Sequence, residues 1–249
     1  MLITGASGGI GSALALEHAA PGRRLILHGR DEGRLGRVAA RCEALGARVQ
    51  TVVLELRHTE RLREWASRLA SDSPPDLLLV NAGVNSTPAP DGAEPWSDVE
   101  AVLDVNVRSS VALVEALLPT FRARRSGQIG LVCSLAAYVG LPVRPAYSAS
   151  KAALKAYGEG LRGSLAPFGV EVSVIMPGYV QSAMCDATPG PKPMIWSAER
   201  AAARIRKGLA RNEPRIAFPW PLSAGLWLLS VLPPDLALAI LRHAGHGSR

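Results

Sequence analysis

Short apolar runs recur along the chain, and longer stretches with apolar residues at helical spacing separate them. The runs fall at 2–4, 24–28, 49–56, 76–80, 128–133, 170–176 and 215–218. The segments between them predict helices over 12–20, 32–45, 59–71, 97–122, 146–166 and 197–211, the last N-capped by Ser197. Strands alternating with helices predict a parallel sheet covered by helices on both faces, an α/β architecture. The run at 49–56 is apolar enough to predict a strand buried on both sides. No repeat or second pattern interrupts the order, so a single domain over 1–249 is expected.

The link between the first run and the first helix is Thr4-Gly5-Ala6-Ser7-Gly8-Gly9-Ile10-Gly11, with glycines spaced G-x-x-x-G-x-G. Glycines permit a tight turn and let backbone approach a pyrophosphate, and the following helix start offers free N–H groups. A Gly-rich turn alone is often only a loop; between a strand and a helix it reads as dinucleotide binding. The second strand is followed by Gly29-Arg30. An acid there would accept hydrogen bonds from the ribose hydroxyls, whereas an arginine pairs with a 2′-phosphate. NADP(H) is therefore favoured and NAD(H) is the alternative, with Asp31 one position late. The plain reading of Arg30 is a solvated residue at a helix start.

Further along, Asn81-Ala82-Gly83 follows the fourth strand, Asn106 interrupts an apolar helix, Ser134 ends the fifth strand, and Tyr147 and Lys151 share a helix face. Each has a plain reading: a strand-ending turn, a core amide at a kink, a loop hydroxyl, a solvated face. Their order, Gly turn, Asn-Ala-Gly, Asn, Ser, Tyr-x-x-x-Lys, resembles the single-domain branch of the short-chain dehydrogenase/reductase family over about 1–182. The resemblance implies a Rossmann-like doubly wound parallel sheet and an NAD(P)-dependent oxidoreductase. Gly5, Ser7, Gly8, Gly9, Ile10 and Gly11 would form the cofactor turn. Glu55 and Leu56 would flank adenine, and Asn81, Ala82 and Gly83 would lie beside the cofactor. Pro177, Gly178, Val180 and Ser182 would cover the nicotinamide. Tyr147 would be the general acid/base, Ser134 would bind the carbonyl, and Lys151 would hold the ribose and lower the tyrosine pKa. Asn106 would order a water that reloads the proton. The family also implies a homodimer or homotetramer, and a substrate lid within 183–215. The alternative is a non-enzymatic NADP-binding regulator or scaffold on the same fold. An epimerase of the longer branch fits poorly, because the glycine spacing differs.

Composition adjusts this picture. The net charge is +7 and the pI about 9.8, but the basic residues are dispersed, which argues against nucleic acid. A basic surface suits an anionic cofactor, an acidic carrier protein or an anionic membrane. Cys42, Cys133 and Cys185 have no metal-ligand spacing and suggest neither a metal site nor a disulfide framework. The Gly turn so near the start leaves no room for a leader, and a cytoplasmic protein is expected; the short first strand leaves an upstream start open. Met184, Cys185, Met194 and Trp196 either line an apolar pocket or pack the lid. An apolar C-terminal extension covers 219–243, and its run stops at Pro233-Pro234, short of the ~20 residues that span a bilayer. It reads as a helix packed on the domain or at an interface, or as a peripheral membrane contact aided by its tryptophans, Arg215 and Arg242. The apolar lid and tail favour a small-molecule hydrophobic ketone or aldehyde, reduced with NADPH, or the reverse oxidation of its alcohol.

Overall fold

A computed structural model describes residues 1–86, 92–188 and 190–246. Among these, seven strands form one parallel sheet in the order β3-β2-β1-β4-β5-β6-β7. The strands are β1 (Leu2–Ile3), β2 (Arg24–Gly29), β3 (Arg48–Val53), β4 (Leu77–Val80), β5 (Gln128–Val132), β6 (Glu171–Pro177) and β7 (Arg215–Phe218). The helices are α1 (Gly9–His18), α2 (Glu32–Ala44), α3 (Thr59–Asp72), α4 (Trp96–Leu103), α5 (Ser109–Arg124), α6 (Pro145–Leu165), α7 (Ala183–Asp186), α8 (Ala198–Ala210), α9 (Trp220–Ser230) and α10 (Pro234–Leu241). The strand order reverses direction between β1 and β4, and such a switch point opens a crevice beyond the strands' carboxyl ends.

Two apolar clusters cover the two faces of the sheet. One joins α3, α5 and α6 through Leu62, Leu117 and Leu154; the other joins α1, α2 and α8 through Leu14, Leu35 and Ile205. Fully burying one such leucine is worth roughly 1.5–3 kcal/mol, so these layers hold the crevice rigidly.

The structure corrects several expectations. β3 is not buried on both sides: it stops at Val53, and all of its residues are exposed or half-exposed because it is a sheet edge. Leu54, Glu55 and Leu56 lie beyond it. The helix expected at 97–122 is two helices joined by a π-helical stretch, Asp104–Arg108, which holds Asn106. Within this stretch Asn106 is fully buried, with its amide hydrogen-bonded to Val84 and Ser150. Within the loops expected after β5 and β6 sit a 3₁₀ turn, Leu135–Ala137, and the short helix α7. The loop expected at 84–95 is irregular where described; residues 87–91, and Pro189 of the lid region, lie outside the described residues. Ser197 caps α8 as expected, accepting from Arg200 N at 3.2 Å. The cysteines are all free and buried. The tail forms α9 and α10, and no described helix is long and apolar enough to cross a membrane.

Candidate active site

One continuous cavity of about 1580 Å³ opens at the strands' carboxyl ends. It exceeds the ~300–1,000 Å³ typical of one small-molecule site and has room for a dinucleotide and a second reactant. Of the predicted cofactor contacts, the glycine turn, Arg30, Glu55, Leu56, Asn81, Ala82, Gly83, Pro177, Gly178, Val180 and Ser182 all line it. Ser134, Tyr147 and Lys151 line it too; Asn106 lies behind its wall, fully buried.

Missing side chains shape the glycine turn. Gly5 adopts φ +65°, a conformation L side chains rarely take. A Cβ on Gly11 would stand 2.2 Å from Gly5 O, and one on Gly9 would stand 2.8 Å from Ser182 Cβ. The turn therefore folds tightly and brings the N-terminus of α1 to the cavity, where free N–H groups and the helix dipole favour phosphate oxygens. Thr4, which sequence reasoning passed over, ties this turn to β4. Its Oγ1 accepts from Asn81 N and Ala82 N, both at 3.0 Å, while Asn81 Nδ2 donates to Thr4 O at 2.9 Å. This cradle of backbone amides and close glycines fits a dinucleotide pyrophosphate.

Arg30 follows β2 and reaches across to Glu55, Nη1 to Oε2 3.3 Å. Asp31 lines the cavity beside Arg30 and is also engaged locally. It caps α2, accepting from Arg34 N at 2.8 Å and from Arg34 Nε at 2.6 Å, and the Arg34 backbone bond holds its carboxyl below the usual range. Arg34 also lines the cavity and adds a second cation at this end. Its helical position after Arg30 was the available signal.

Tyr147 and Lys151 sit on α6, and Lys151 Nζ lies 5.7 Å from the Tyr147 ring centroid. Burial raises the Tyr147 phenol above its ordinary value, opposed by a hydrogen bond with the Ser134 hydroxyl. Burial also lowers Lys151, whose Nζ donates to Val132 O at 3.1 Å. At neutral pH the phenol is protonated and poised as a donor.

Asn106 fixes α6 from behind. Its Oδ1 accepts from Val84 N at 2.8 Å, and its Nδ2 donates to Val84 O and to Ser150 Oγ, each at 3.0 Å. Ser150 Oγ donates in turn to Tyr147 O at 2.7 Å. Glu94 secures the helix start, accepting from Ala146 N at 2.9 Å.

In the lid region, Met184, Cys185 and Met194 line the cavity. Trp196 does not; it stacks on Phe218 at 4.9 Å, and the Arg200 guanidinium lies over its ring at 3.9 Å. The Ser182 hydroxyl, expected to face the nicotinamide, caps α7 by accepting from Cys185 N at 3.1 Å. The tail supplies a whole wall that sequence reasoning left open: Leu222, Leu226, Leu229 and Leu232 line the cavity. Arg144 and Tyr179 line it as well and were not anticipated.

The comparisons agree with this geometry. The family model for short chain dehydrogenase matches residues 1–190. An uncharacterized oxidoreductase of Myxococcus xanthus is 35% identical over 242 residues, covering 97% of this chain and 95% of the relative. A short-chain dehydrogenase from Sphingobium yanoikuyae in complex with NADPH superposes with TM-score 0.80 at 26% identity, covering 93% of this chain and 95% of that one. A short chain dehydrogenase from Mycobacterium paratuberculosis bound to NAD gives TM-score 0.73 at 25% identity, covering 87% and 93%. With its parallel sheet and dinucleotide cradle, this chain belongs to the short-chain dehydrogenase/reductase family and is an NAD(P)-dependent oxidoreductase.

Proposed function

We propose that the protein reduces a hydrophobic ketone or aldehyde with NADPH. The observation that carries this reading is the single cavity in which Ser134, Tyr147 and Lys151 stand between a dinucleotide cradle and an apolar wall from α9. When bound, the cofactor supplies hydride. Ser134 and Tyr147 hydrogen-bond the substrate carbonyl oxygen. Tyr147 then gives its phenolic proton to that oxygen as negative charge develops there. Lys151 holds the nicotinamide ribose. Asn106 acts by position: its amide is committed to Val84 and Ser150, so it sets the height of Tyr147 on α6. Gly83 lets the two halves of the site approach, since a Cβ there would stand 3.2 Å from Asn106 Oδ1 and 3.3 Å from Lys151 Nζ.

The preference for NADPH rests on Arg30, with Arg34 beside it, since related structures hold either cofactor. Of residues 183–215, the part before α8 acts as the substrate lid, because α8 itself packs on the sheet, and 219–243 is the extension that completes the pocket. A homodimer or homotetramer is the assembly we propose. The tail leaves Trp220 77% exposed and Trp227 52% exposed, and these side chains favour peripheral contact with a lipid surface. The test of function is turnover of medium-chain ketones and aldehydes with NADPH and NADH. NADPH-dependent reduction is expected; cofactor binding without any turnover across the panel would overturn the reading.

A further inference from the structure

Arg144 presents a buried cation to the substrate half of the cavity. It lies just before α6, is only 5% exposed, and lines the cavity. Its partners are neutral: Nη1 donates to Thr188 Oγ1 at 2.7 Å and Nη2 to Ala187 O at 3.5 Å. Its Nε is buried with no partner. Glu94 acts on it through space without an ion pair, and that carboxylate is engaged with Ala146 N and Ser86 Oγ. Burying an arginine without an anion is costly, and a guanidinium fork is shaped for two-point contact with carboxylate or phosphate oxygens.

The charges around it point the same way. The acids among the described residues lining the cavity are Asp31 and Glu55, both at the adenosine end and both tied to arginines. The substrate half holds Arg144, Lys151 and Lys192 and, among the described lining residues, no carboxylate. Arg144 also adjoins the chemistry: it is the N-cap of α6, the helix that carries Tyr147, and it shares the cavity wall with Tyr147 and Tyr179. Beyond them the wall becomes apolar, with Leu222, Leu226 and Leu229.

We infer that Arg144 is a specificity-determining residue that binds an anionic group of the substrate. The substrate is then an amphipathic carbonyl compound: a carboxylate or phosphate near the reacting carbonyl, and an apolar chain along α9. This inference rests on the carbonyl-reductase reading and narrows it. Anchoring the lid through Thr188 is the competing role for Arg144, and the two separate by a ratio of rates.

The test uses the full chain with NADPH and five probes: 2-oxodecanoate, 4-oxodecanoate, the methyl ester of each, and 2-oxodecyl phosphate. The wild type is expected to favour an anionic probe over its uncharged counterpart by about 10- to 100-fold in kcat/KM, the worth of a charge-assisted bond. Carboxylate and phosphate are distinguished by which probe wins. In Arg144→Met that ratio collapses to near one. In Thr188→Val, which removes the lid anchor and keeps the cation, the ratio persists while all rates change together. Uncharged probes turned over as well as anionic ones by the wild type, or a preference that survives Arg144→Met, would overturn the inference alone. If NADPH binds and no probe reacts, the carbonyl-reductase reading falls and this inference with it.

Discussion

The two ends of the cavity are built by different means. At the cofactor end, shape comes from side chains that are absent: Gly5, Gly9 and Gly11 let backbone close to within distances that any Cβ would block. Charge there is balanced locally, Arg30 against Glu55 and Arg34 against Asp31. At the substrate end, shape comes from segments far apart in the chain: α6, the lid around Cys185 and the tail helix α9. Charge there is unbalanced, and the wall is apolar. The first end is a rigid receptor for a constant ligand. The second is an assembled surface whose details select among substrates.

The comparison breaks most sharply at the residue between the two ends. Tyr147→Phe is expected to lower kcat by about 10²- to 10⁴-fold, the worth of a positioned proton donor, while NADPH affinity holds. Single-turnover rates beside a fluorescence titration check it. Near-normal rates would remove Tyr147 from the role of acid.

Next is the rigidity of the glycine turn. Gly11→Ala places a methyl 2.2 Å from the Gly5 carbonyl oxygen, and backbone cannot yield cheaply. The expected cost is about 1–3 kcal/mol of stability, with loss of cofactor binding. Denaturant unfolding and NADPH titration report the two effects separately.

Arg30→Ala tests the charge reading of the same end. NADPH should bind about 10-fold more weakly or worse, and NADH should be little changed. An equal loss for both cofactors would mean that Arg30 serves adenine or the fold rather than the 2′-phosphate.

The smallest effect is at the substrate end. Gly225 lies on α9 and lines the cavity, and a Cβ there meets nothing within 4 Å. Gly225→Ala should stabilise the helix by roughly 0.5–1 kcal/mol. Gly225→Phe should shift the preference from long-chain towards short-chain ketones by roughly tenfold. An unchanged chain-length profile would show that α9 does not contact the substrate.

Local signals made most of the cofactor end legible. Gly5, Gly9 and Gly11 carry their meaning because the missing Cβ is itself the structural fact. Ser134, Tyr147 and Lys151 were found through order and helical spacing, and they do share one cavity. Asn106 was singled out as an amide in an apolar helix, but only the structure shows the π turn that lets it reach Val84 and Ser150. The chain alone leaves Trp196 open between lining the pocket and packing the lid, and its stack on Phe218 decides for packing. Asp31 follows Arg30 in the chain, but only the structure shows that it also caps α2.

Periodicity, glycine freedom and i,i+4 spacing are properties of neighbouring residues, so the layer architecture, the tight glycine turn and the shared helix face of Tyr147 and Lys151 were legible in the chain alone. Only the tertiary structure decided that β3 is an edge, that α9 walls the pocket, and that Arg144 is buried without an anion. Those outcomes depend on which distant segments pack together, and burial and charge balance are fixed by that packing rather than by any local run of residues.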